Sequence, residues 1–361
     1  MKIDYVCFTG LNGFSCAAKN YIEALLDHGC DVKITPIDLG YPKQYYPTDY
    51  QRLNSLKDKT YNQNRIQIFN ILPDMQRRFK DKMCLRNIGM AVFENDAPPK
   101  VWTKILNMNS AVFAPSRFLE KVFKDSGVEK PLFYIPHCID MNKFYVKERP
   151  ENKSFRFMFF GSWKERKGGK SLVEAYLKEF SSKDNVELVI SGDNVGSIQA
   201  DILRIRKKFP HNNLPNIIMN EKLITYDEVP NHLRSADCLV SPTMGEGFGL
   251  PGLQAMAVGT PIIITNWSGT TEYASEETAT LLSPEKFVEI DFLDGIPQFR
   301  GQKWAYISVD QIAARMREVY NNKELAKKKA EVGAKLVREK FSYDSVFDRI
   351  SEAFSELNWL T

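Results

Sequence analysis

One carboxylate stands among three glycines in the segment SPTMGEGFGLPGLQAMA, residues 241–257, which lies between two apolar runs. The carboxylate is that of Glu246, and the glycines are Gly245, Gly247 and Gly249. Glycine lacks a side chain, so the backbone and the carboxylate can closely approach a ligand. Pro251 suits the first turn of a helix, and Gly259 suits its left-handed end. A strand, a glycine loop and a helix N-terminus together predict an anion site, whereas the alternative is a tight αβ connection.

A basic pair follows another apolar run, in the segment GSWKERKGGKS at residues 161–171. The segment contains Gly-Lys-Ser, but a phosphate-binding P-loop needs a glycine at the position of Lys164. What remains is Arg166 and Lys167 at the start of a helix, where positive side chains oppose the helix dipole. This placement suggests an anionic partner, and a solvated basic turn is the alternative. Because both segments follow strands of one predicted sheet, the basic pair and Glu246 can meet over one ligand.

Short apolar runs alternate with helix-like segments in both halves of the chain. Strands are predicted in the first half at residues 5–8, 32–37, 66–71, 88–93, 111–114 and 132–135, and in the second half at 155–160, 186–190, 217–219, 238–240 and 262–264. Helices are predicted at residues 15–26, 117–126, 172–180 and 198–208. This alternation predicts an α/β fold of two doubly wound, Rossmann-like parallel-sheet domains that face a cleft. The polar stretch 142–154 is the expected linker.

Size and composition agree with two ordinary globular domains. The chain has 361 residues, which is long for one hydrophobic core, and its net charge of +4 does not by itself argue for nucleic acid. Its six cysteines form no C-x-x-C pair, which favours free thiols in a reducing cytosol over disulfides or zinc. The N-terminus becomes polar too early for a signal peptide, and no apolar run is long enough to span a membrane.

Several motifs together resemble the signature of the retaining GT-B glycosyltransferases of the family-4 type, the glycosyl transferases group 1. They occur in both halves, in the order expected for that family. In chain order they are FENDAPPKVW (93–102), APSRF (114–118), IPHCID (135–140), FGSWKERKG (160–168), GEGFGLPGLQAMA (245–257), GTPII (259–263) and TNWSGTTEY (265–273). Such enzymes move a sugar from a nucleotide diphosphate sugar to an acceptor. The resemblance implies a first domain over residues 1–149, completed by a C-terminal helix at about 338–361, and a donor-binding domain over 150–337.

The resemblance also implies roles for particular residues. Arg166 and Lys167 would bind the donor diphosphate and stabilise the leaving group, and Glu246 would contact hydroxyls of the transferred sugar. The donor-binding residues implied are Lys222 and Leu223 near the base, and Gly13, Gly247, Phe248, Gly249 and Leu250 near the sugar and phosphates. The family pattern has a second glutamate, which holds the ribose, where this chain has Gln254. An amide still hydrogen-bonds hydroxyls but lacks charge assistance, worth about 1 kcal/mol or more per bond.

The first half is expected to supply the acceptor side. Glu94 and Asp96 follow a predicted strand, although hydrogen bonding within their own loop would also explain them. The loop GLNGFSC (10–16), which contains Gly13, resembles the family's glycine loop, although a simple βα turn explains it equally well. His137 is expected to be structural and is left out of the site.

The sequence favours catalysis without a metal or other cofactor. No Asp-x-Asp occurs in the chain, so the carboxylate pair that carries a divalent cation in the other glycosyltransferase fold is missing. The basic pair can serve the diphosphate instead. Retention without a paired carboxylate nucleophile fits the front-face mechanism proposed for the family, in which a donor phosphate oxygen takes the acceptor's proton.

Three other functions compete with transfer. A non-catalytic nucleotide-sugar binding protein of the same fold is favoured by Gln254, and an epimerase or phosphorylase is disfavoured by the motif order. A nucleic-acid binder would rest on the basic residues Arg77, Arg78, Lys80, Lys82 and Arg86, which lack interleaved aromatics beyond Phe79.

A helix over residues 73–86 would align Met75, Phe79 and Met83 in one stripe. We therefore expect a cytoplasmic enzyme with a glycan or lipid-linked acceptor and at most weak peripheral membrane contact.

Overall fold

The structure is a computed structural model that describes residues 1–10, 12–38, 53, 55–61, 64–148, 151–210, 213–291 and 299–360. The first half forms a six-stranded sheet in the order β2-β1-β3-β4-β5-β6, and every pairing is parallel. Its strands are β1 (Lys2–Thr9), β2 (Asp31–Asp38), β3 (Ile66–Asn70), β4 (Arg86–Met90), β5 (Ala111–Ala114) and β6 (Leu132–Tyr134). Its helices are α1 (Gly13–Asp27), α2 (Pro73–Phe79), α3 (Lys100–Leu106) and α4 (Arg117–Asp125).

The second half forms another parallel six-stranded sheet, in the order β12-β11-β10-β7-β8-β9. Its strands are β7 (Phe155–Phe160), β8 (Val186–Ser191), β9 (Asn216–Asn220), β10 (Cys238–Ser241), β11 (Ile262–Thr265) and β12 (Thr280–Leu282). Its helices are α5 (Gly169–Glu179), α6 (Val195–Arg206), α7 (Val229–Arg234), α8 (Leu250–Ala257), α9 (Val309–Asn321) and α10 (Lys323–Lys340). The two parallel sheets confirm the predicted fold class.

Both sheets are covered on two faces, which explains why their strands read as continuous apolar runs. In β1, Ile3 to Phe8 are all buried, and in β8 all six residues are buried. Parallel strands connected by crossover helices have this burial on both sides. An antiparallel hairpin, β13 (Lys286–Glu289) with β14 (Lys303–Tyr306), lies outside the two sheets. The sequence did not predict this hairpin or β12.

The last helix, α11 (Tyr343–Glu356), returns to the first domain and packs against α1. Phe354 of α11 lies 6.3 Å, ring centre to ring centre, from Phe113 of β5, and the His28 ring stacks on Phe347 at 4.0 Å. This return confirms the expectation for the C-terminal helix. The domain limits at 149 and 337 stay predictions, and part of the predicted linker, residues 149–150, lies outside the described residues.

The helix predicted over residues 73–86 is wrong beyond its first two turns. Helix α2 ends at Phe79, and Met83 is 57% exposed in the turn that follows. The carboxylate of Asp81 accepts a hydrogen bond from the amide of Met83 at 2.9 Å, and the Asp81 amide donates to Gln67 Oε1 at 3.1 Å. An aspartate that bonds the backbone two residues ahead favours a turn over a helix. Met83 therefore does not continue the apolar stripe of Met75 and Phe79.

Candidate active site

The basic segment and the glutamate segment follow two neighbouring strands. Strand β7 lies between β8 and β10, so the chain leaves β7 and β10 at the point where the strand order reverses. Ligands of open parallel sheets bind at such a switch point, beyond the carboxyl ends of the strands. The two loops touch there, since the Met244 amide donates to the Arg166 carbonyl at 2.7 Å. The expectation that both segments lie together is thus met in the structure.

Glu246 is the centre of a buried charge network. Its carboxylate accepts a hydrogen bond from Lys167 Nζ at 2.6 Å and lies 3.4 Å from Arg166 Nη1. The Thr243 hydroxyl donates to the same carboxylate at 3.0 Å, and the Glu246 amide donates to Ser268 Oγ at 2.8 Å. The Glu246 side chain is only 9% exposed. Charges are buried in this way when partners satisfy them, and here two cations do so.

The charge state of Glu246 follows from these partners. Burial raises the pKa of the Glu246 carboxyl group, but the charges of Lys167 and Arg166 outweigh burial, so the pKa is lowered from its ordinary value. Glu246 is therefore ionised at neutral pH and acts as a hydrogen-bond acceptor. A sugar hydroxyl is a suitable donor to it.

Arg166 connects the two domains. It lies in a single turn of 3₁₀ helix, Glu165–Lys167, directly before α5. Its Nη2 donates to Glu94 Oε1 of the first domain at 3.0 Å, and its Nη1 donates to the Gly245 carbonyl at 2.5 Å. The guanidinium, which presents several donors in one plane, contacts both domains at once.

The glycines around Glu246 allow close contact between the domains. A Cβ atom added to Gly245 would lie 2.0 Å from the carbonyl oxygen of Glu94, and one on Gly247 would lie 2.3 Å from Val92 Cγ1. Gly249 has φ +89°, a left-handed conformation that favours glycine. At Gly245, the close approach that was predicted for a ligand is therefore made by the first domain.

A cleft of about 430 Å³ lies between the domains. Its wall includes Glu94 from the first domain, and Arg166, Lys167 and Glu246 from the second. The remaining predicted residues on this wall are Gly13, Gly247, Phe248, Gly249 and Leu250. The volume is that of a small-molecule site, and it lies where two α/β domains meet.

The N-terminus of α1 faces this cleft. Asn12 caps the helix by accepting from the Ser15 amide at 2.9 Å, and Gly13 is the first helical residue. A Cβ on Gly13 would meet nothing within 4 Å. The positive end of the helix dipole and the open space at Gly13 thus suit an anionic ligand opposite Lys167. Leu11 of the same loop lies outside the described residues.

Four of the predicted residues do not line this cleft. Lys222 forms an ion pair with Glu228 beyond the end of β9, and Leu223 beside it is 44% exposed. The Asp96 carboxylate accepts from the Lys303 amide of β14 at 2.7 Å, so it holds the hairpin. Gln254 is buried in α8, and its side-chain amide has no hydrogen-bond partner among the described residues. The roles predicted for these residues stay predictions.

His137, which was expected to be structural, lies on the wall of the cleft. It is buried, its ring is 4.9 Å from that of Phe248, and its Nδ1 is 3.0 Å from the Tyr21 hydroxyl. It follows β6 by three residues, so the rule that ligands bind beyond the carboxyl ends of strands was the signal that could have found it.

Among the residues that the structure describes, no three or more His, Cys, Asp or Glu side chains group together as metal ligands would. No helix in the described ranges is both long and apolar enough to cross a membrane.

Comparison with known proteins supports this architecture. The D-inositol 3-phosphate glycosyltransferase of Paenarthrobacter aurescens is 29% identical over 136 residues, which are 37% of this chain and 32% of that protein. This chain spans about a third of the length of the first curated relatives it matches. Anabaena HepE in complex with UDP-glucose has a TM-score of 0.70 at 13% identity, over 99% of this chain and 100% of that one. A Rickettsia africae glycosyltransferase has a TM-score of 0.70 at 15% identity, over 100% and 99%.

Two parallel-sheet domains that face a cleft, with the last helix returning to the first domain, define the GT-B fold. The family model described as glycosyl transferases group 1 matches residues 154–296, which carry the basic segment and the Glu246 loop. Over these residues the chain is similar to the group 1 glycosyltransferases, which supports the resemblance stated from its motifs.

Proposed function

We propose that this protein transfers a sugar from a nucleotide diphosphate sugar to a hydroxyl group of a glycan or lipid-linked acceptor. The observation that carries the proposal is the contact of Lys167 and Arg166 with Glu246 on the wall of the interdomain cleft. Two cations suit a diphosphate, and an ionised carboxylate suits sugar hydroxyls. The match of residues 154–296 to the model of the group 1 glycosyltransferases and the UDP-glucose bound in Anabaena HepE support this choice of donor.

We propose that the sugar keeps its anomeric configuration. The bond from the anomeric carbon to the diphosphate oxygen breaks, and the acceptor oxygen attacks the same face. The acceptor's proton passes to a donor phosphate oxygen, so no protein nucleophile is needed. Arg166 and Lys167 would stabilise the negative charge on the departing diphosphate, and the N-terminus of α1 at Gly13 would add to this stabilisation.

The proposal is tested by donor turnover in the charge variants. Lys167→Ala and Arg166→Ala should each lower transfer by at least about tenfold, because each removes a cation from the leaving group. UDP, GDP and ADP are screened by calorimetry, and UDP-glucose, GDP-mannose and ADP-glucose are then assayed as donors. Lys170→Ala is the matched control, since this neighbouring lysine pairs with Glu165. Full activity in both cleft variants would remove the diphosphate assignment.

We also propose that transfer requires no metal ion. The basic pair would supply the positive charge that a divalent cation supplies to a diphosphate in other sites. Transfer should then continue at its full rate in excess EDTA. Loss of activity with EDTA and its recovery with Mg²⁺ would overturn this part of the proposal.

A second candidate function is nucleotide-sugar binding without catalysis. The observation in its favour is Gln254, a buried amide at the position where the family pattern has a ribose-binding glutamate. If Gln254 faces the ribose, Gln254→Glu should shift the affinity for the free nucleoside diphosphate. Glu246→Gln should impair turnover more than nucleotide binding. Binding of labelled donor with no turnover at any acceptor would favour this second function.

We propose a cytoplasmic location with at most weak, salt-sensitive membrane contact. All six cysteines are free thiols, as is usual in a reducing compartment. Met83 and Leu85 are exposed beside Lys82, but they precede β4 and so lie at the edge of the sheet away from the cleft. Sedimentation with anionic vesicles at low and high salt tests this proposal. Tight binding that survives high salt would contradict it.

A further inference from the structure

His137 lies where the two domains meet, but the proposed mechanism gives it no task. It belongs to the loop after β6 of the first domain and contributes to the wall of the interdomain cleft. Its ring packs at 4.9 Å on Phe248, the residue that follows Gly247 in the glutamate loop. A ligand between the loop at residues 10–16 and the loop at residues 241–257 would therefore lie next to His137.

The hydrogen bonds of Tyr21 determine which nitrogen of His137 carries the proton. The Tyr21 hydroxyl has one hydrogen, and it donates this hydrogen to the carbonyl of Ile135 at 2.9 Å. The same hydroxyl lies 3.0 Å from His137 Nδ1, so it must accept there from an Nδ1–H group. His137 Nε2 then carries a lone pair. It has no hydrogen-bond partner among the residues that the structure describes.

The charge state of His137 also supports a lone pair on Nε2. Burial lowers the pKa of the His137 imidazole to about 3, so the ring is neutral at physiological pH. A neutral ring that is protonated on Nδ1 offers only an acceptor at Nε2. Such an acceptor attracts a hydroxyl group, which can donate, and repels a phosphate oxygen, which cannot.

We propose that His137 Nε2 accepts a hydrogen bond from one hydroxyl of the transferred sugar and so helps to select and orient that sugar. Tyr21 is the positioning residue, because it holds the imidazole in the Nδ1–H form. The proposal rests on the proposed function and adds to it a specificity residue from the first domain. His137 from the first domain and Glu246 from the second would both accept hydrogen bonds from hydroxyls of the transferred sugar.

The test pairs a variant with donor analogues. The probes are UDP-glucose, GDP-mannose and ADP-glucose, each with its monodeoxy sugar analogues. His137→Phe should raise KM or lower kcat/KM about tenfold for the natural sugar, the effect of one lost hydrogen bond at a buried site. It should cause no further loss for the one analogue that lacks the contacted hydroxyl. His137→Gln, which keeps an acceptor, should recover part of the activity.

His232→Phe is the matched control. His232 also has a pKa lowered by burial, to about 4, but it does not line the cleft. This variant should leave donor kinetics unchanged. Thermal unfolding of each variant reports whether the fold is kept, and the Gln variant serves if the Phe variant does not fold.

An NMR measurement tests the tautomer without any turnover. In protein labelled with ¹⁵N-histidine, His137 should show a protonated Nδ1 and a bare Nε2 across neutral pH. The Nε2 signal should move when the nucleotide sugar binds, whereas Tyr21→Phe should allow the other tautomer to appear.

Each outcome decides between the proposals. Equal loss with every analogue, or a protonated Nε2 in the free protein, would overturn the role of His137 and leave the transferase proposal standing. Failure of the wild type to bind any of the three donors would overturn the proposed function, and the role of His137 with it.

Discussion

Glu94 Oε1 lies 3.0 Å from Arg166 Nη2, and the two residues belong to different domains. Arg166 also lies near Glu246, so one guanidinium is shared between two carboxylates. A diphosphate that binds Arg166 has to compete with both of them. The contact therefore links donor binding to the interface between the domains.

This competition predicts the effect of Glu94→Gln on nucleotide binding. Removing the negative charge should increase the affinity for free UDP or GDP about fivefold, equivalent to about 1 kcal/mol, because Arg166 becomes more available. Isothermal titration calorimetry measures the change. Asp96→Asn is the control from the same loop, since Asp96 bonds the Lys303 amide and lies outside the cleft. Weaker binding in the Glu94 variant would contradict the competition.

His232 gives a prediction for the dependence of stability on pH. Its folded-state pKa is about 4, lowered first by burial and then by Arg156, and it is about 6.5 in the unfolded chain. Below pH 6.5 the unfolded chain therefore binds a proton that the folded chain refuses. The contribution of His232 to stability is complete above pH 6.5 and is lost as the pH falls towards 4.

His232→Phe should remove this dependence. The free energy of unfolding of the wild type should fall faster than that of the variant between pH 6.5 and 4, by at most about 1.4 kcal/mol per pH unit. Urea unfolding at a series of pH values gives both curves. Parallel curves would show that His232 titrates normally in the folded protein.

The sequence predicted the sheets well because parallel strands are buried on both faces. Residues 186–190 are all buried in β8, and all of them except Glu187 are apolar, so the apolar run predicts the strand. The exposed hairpin strand β13 has no such run, and its partner β14 follows 13 residues later. A local pattern cannot report a pairing of that kind.

The site was predictable where it depended on the ends of strands. The meeting of Lys167 and Glu246 follows from two adjacent strands and needs no knowledge of side-chain contacts. The contact of Asp96 with the Lys303 amide joins residues 207 positions apart, so local sequence could not reveal it. After the end of α2, the Asp81 side chain bonds the Met83 amide and stabilises a turn. The four-residue spacing of Met75, Phe79 and Met83 favours a helix and so gave no sign of this turn.

The close packing of Gly245 predicts that even a methyl group is not tolerated there. In Gly245→Ala the new Cβ would lie 2.0 Å from the Glu94 carbonyl, so the backbones of the two domains must separate. Transfer should fall at least about tenfold, because misplacement by about 1 Å is enough to disturb a reacting geometry. The control is Gly196→Ala in α6, where a Cβ meets nothing within 4 Å. Unchanged kinetics in the Gly245 variant would show that the domain contact is not needed for turnover.

Asn20 joins three separate parts of the chain and gives the last prediction. It is fully buried in α1, its Nδ2 donates to the Cys138 carbonyl at 2.8 Å, and its Oδ1 accepts from Tyr226 at 2.7 Å and Tyr343 at 3.1 Å. Tyr226 belongs to the second domain, and Tyr343 begins the helix that returns to the first. The Asn20 amide thus links the first domain to the second domain and to the returning helix α11.

Asn20→Ala should lower the free energy of unfolding by about 3 kcal/mol, because the buried Cys138 carbonyl and Tyr226 hydroxyl and the half-buried Tyr343 hydroxyl lose a partner at once. Tyr343→Phe removes one of these bonds and leaves Asn20 bonded to Cys138 and Tyr226, so it should cost about 1 kcal/mol. Urea unfolding measures both variants, and the double variant should cost less than their sum because the bonds share one amide. Additive costs would mean that Tyr343 stabilises the helix independently of Asn20.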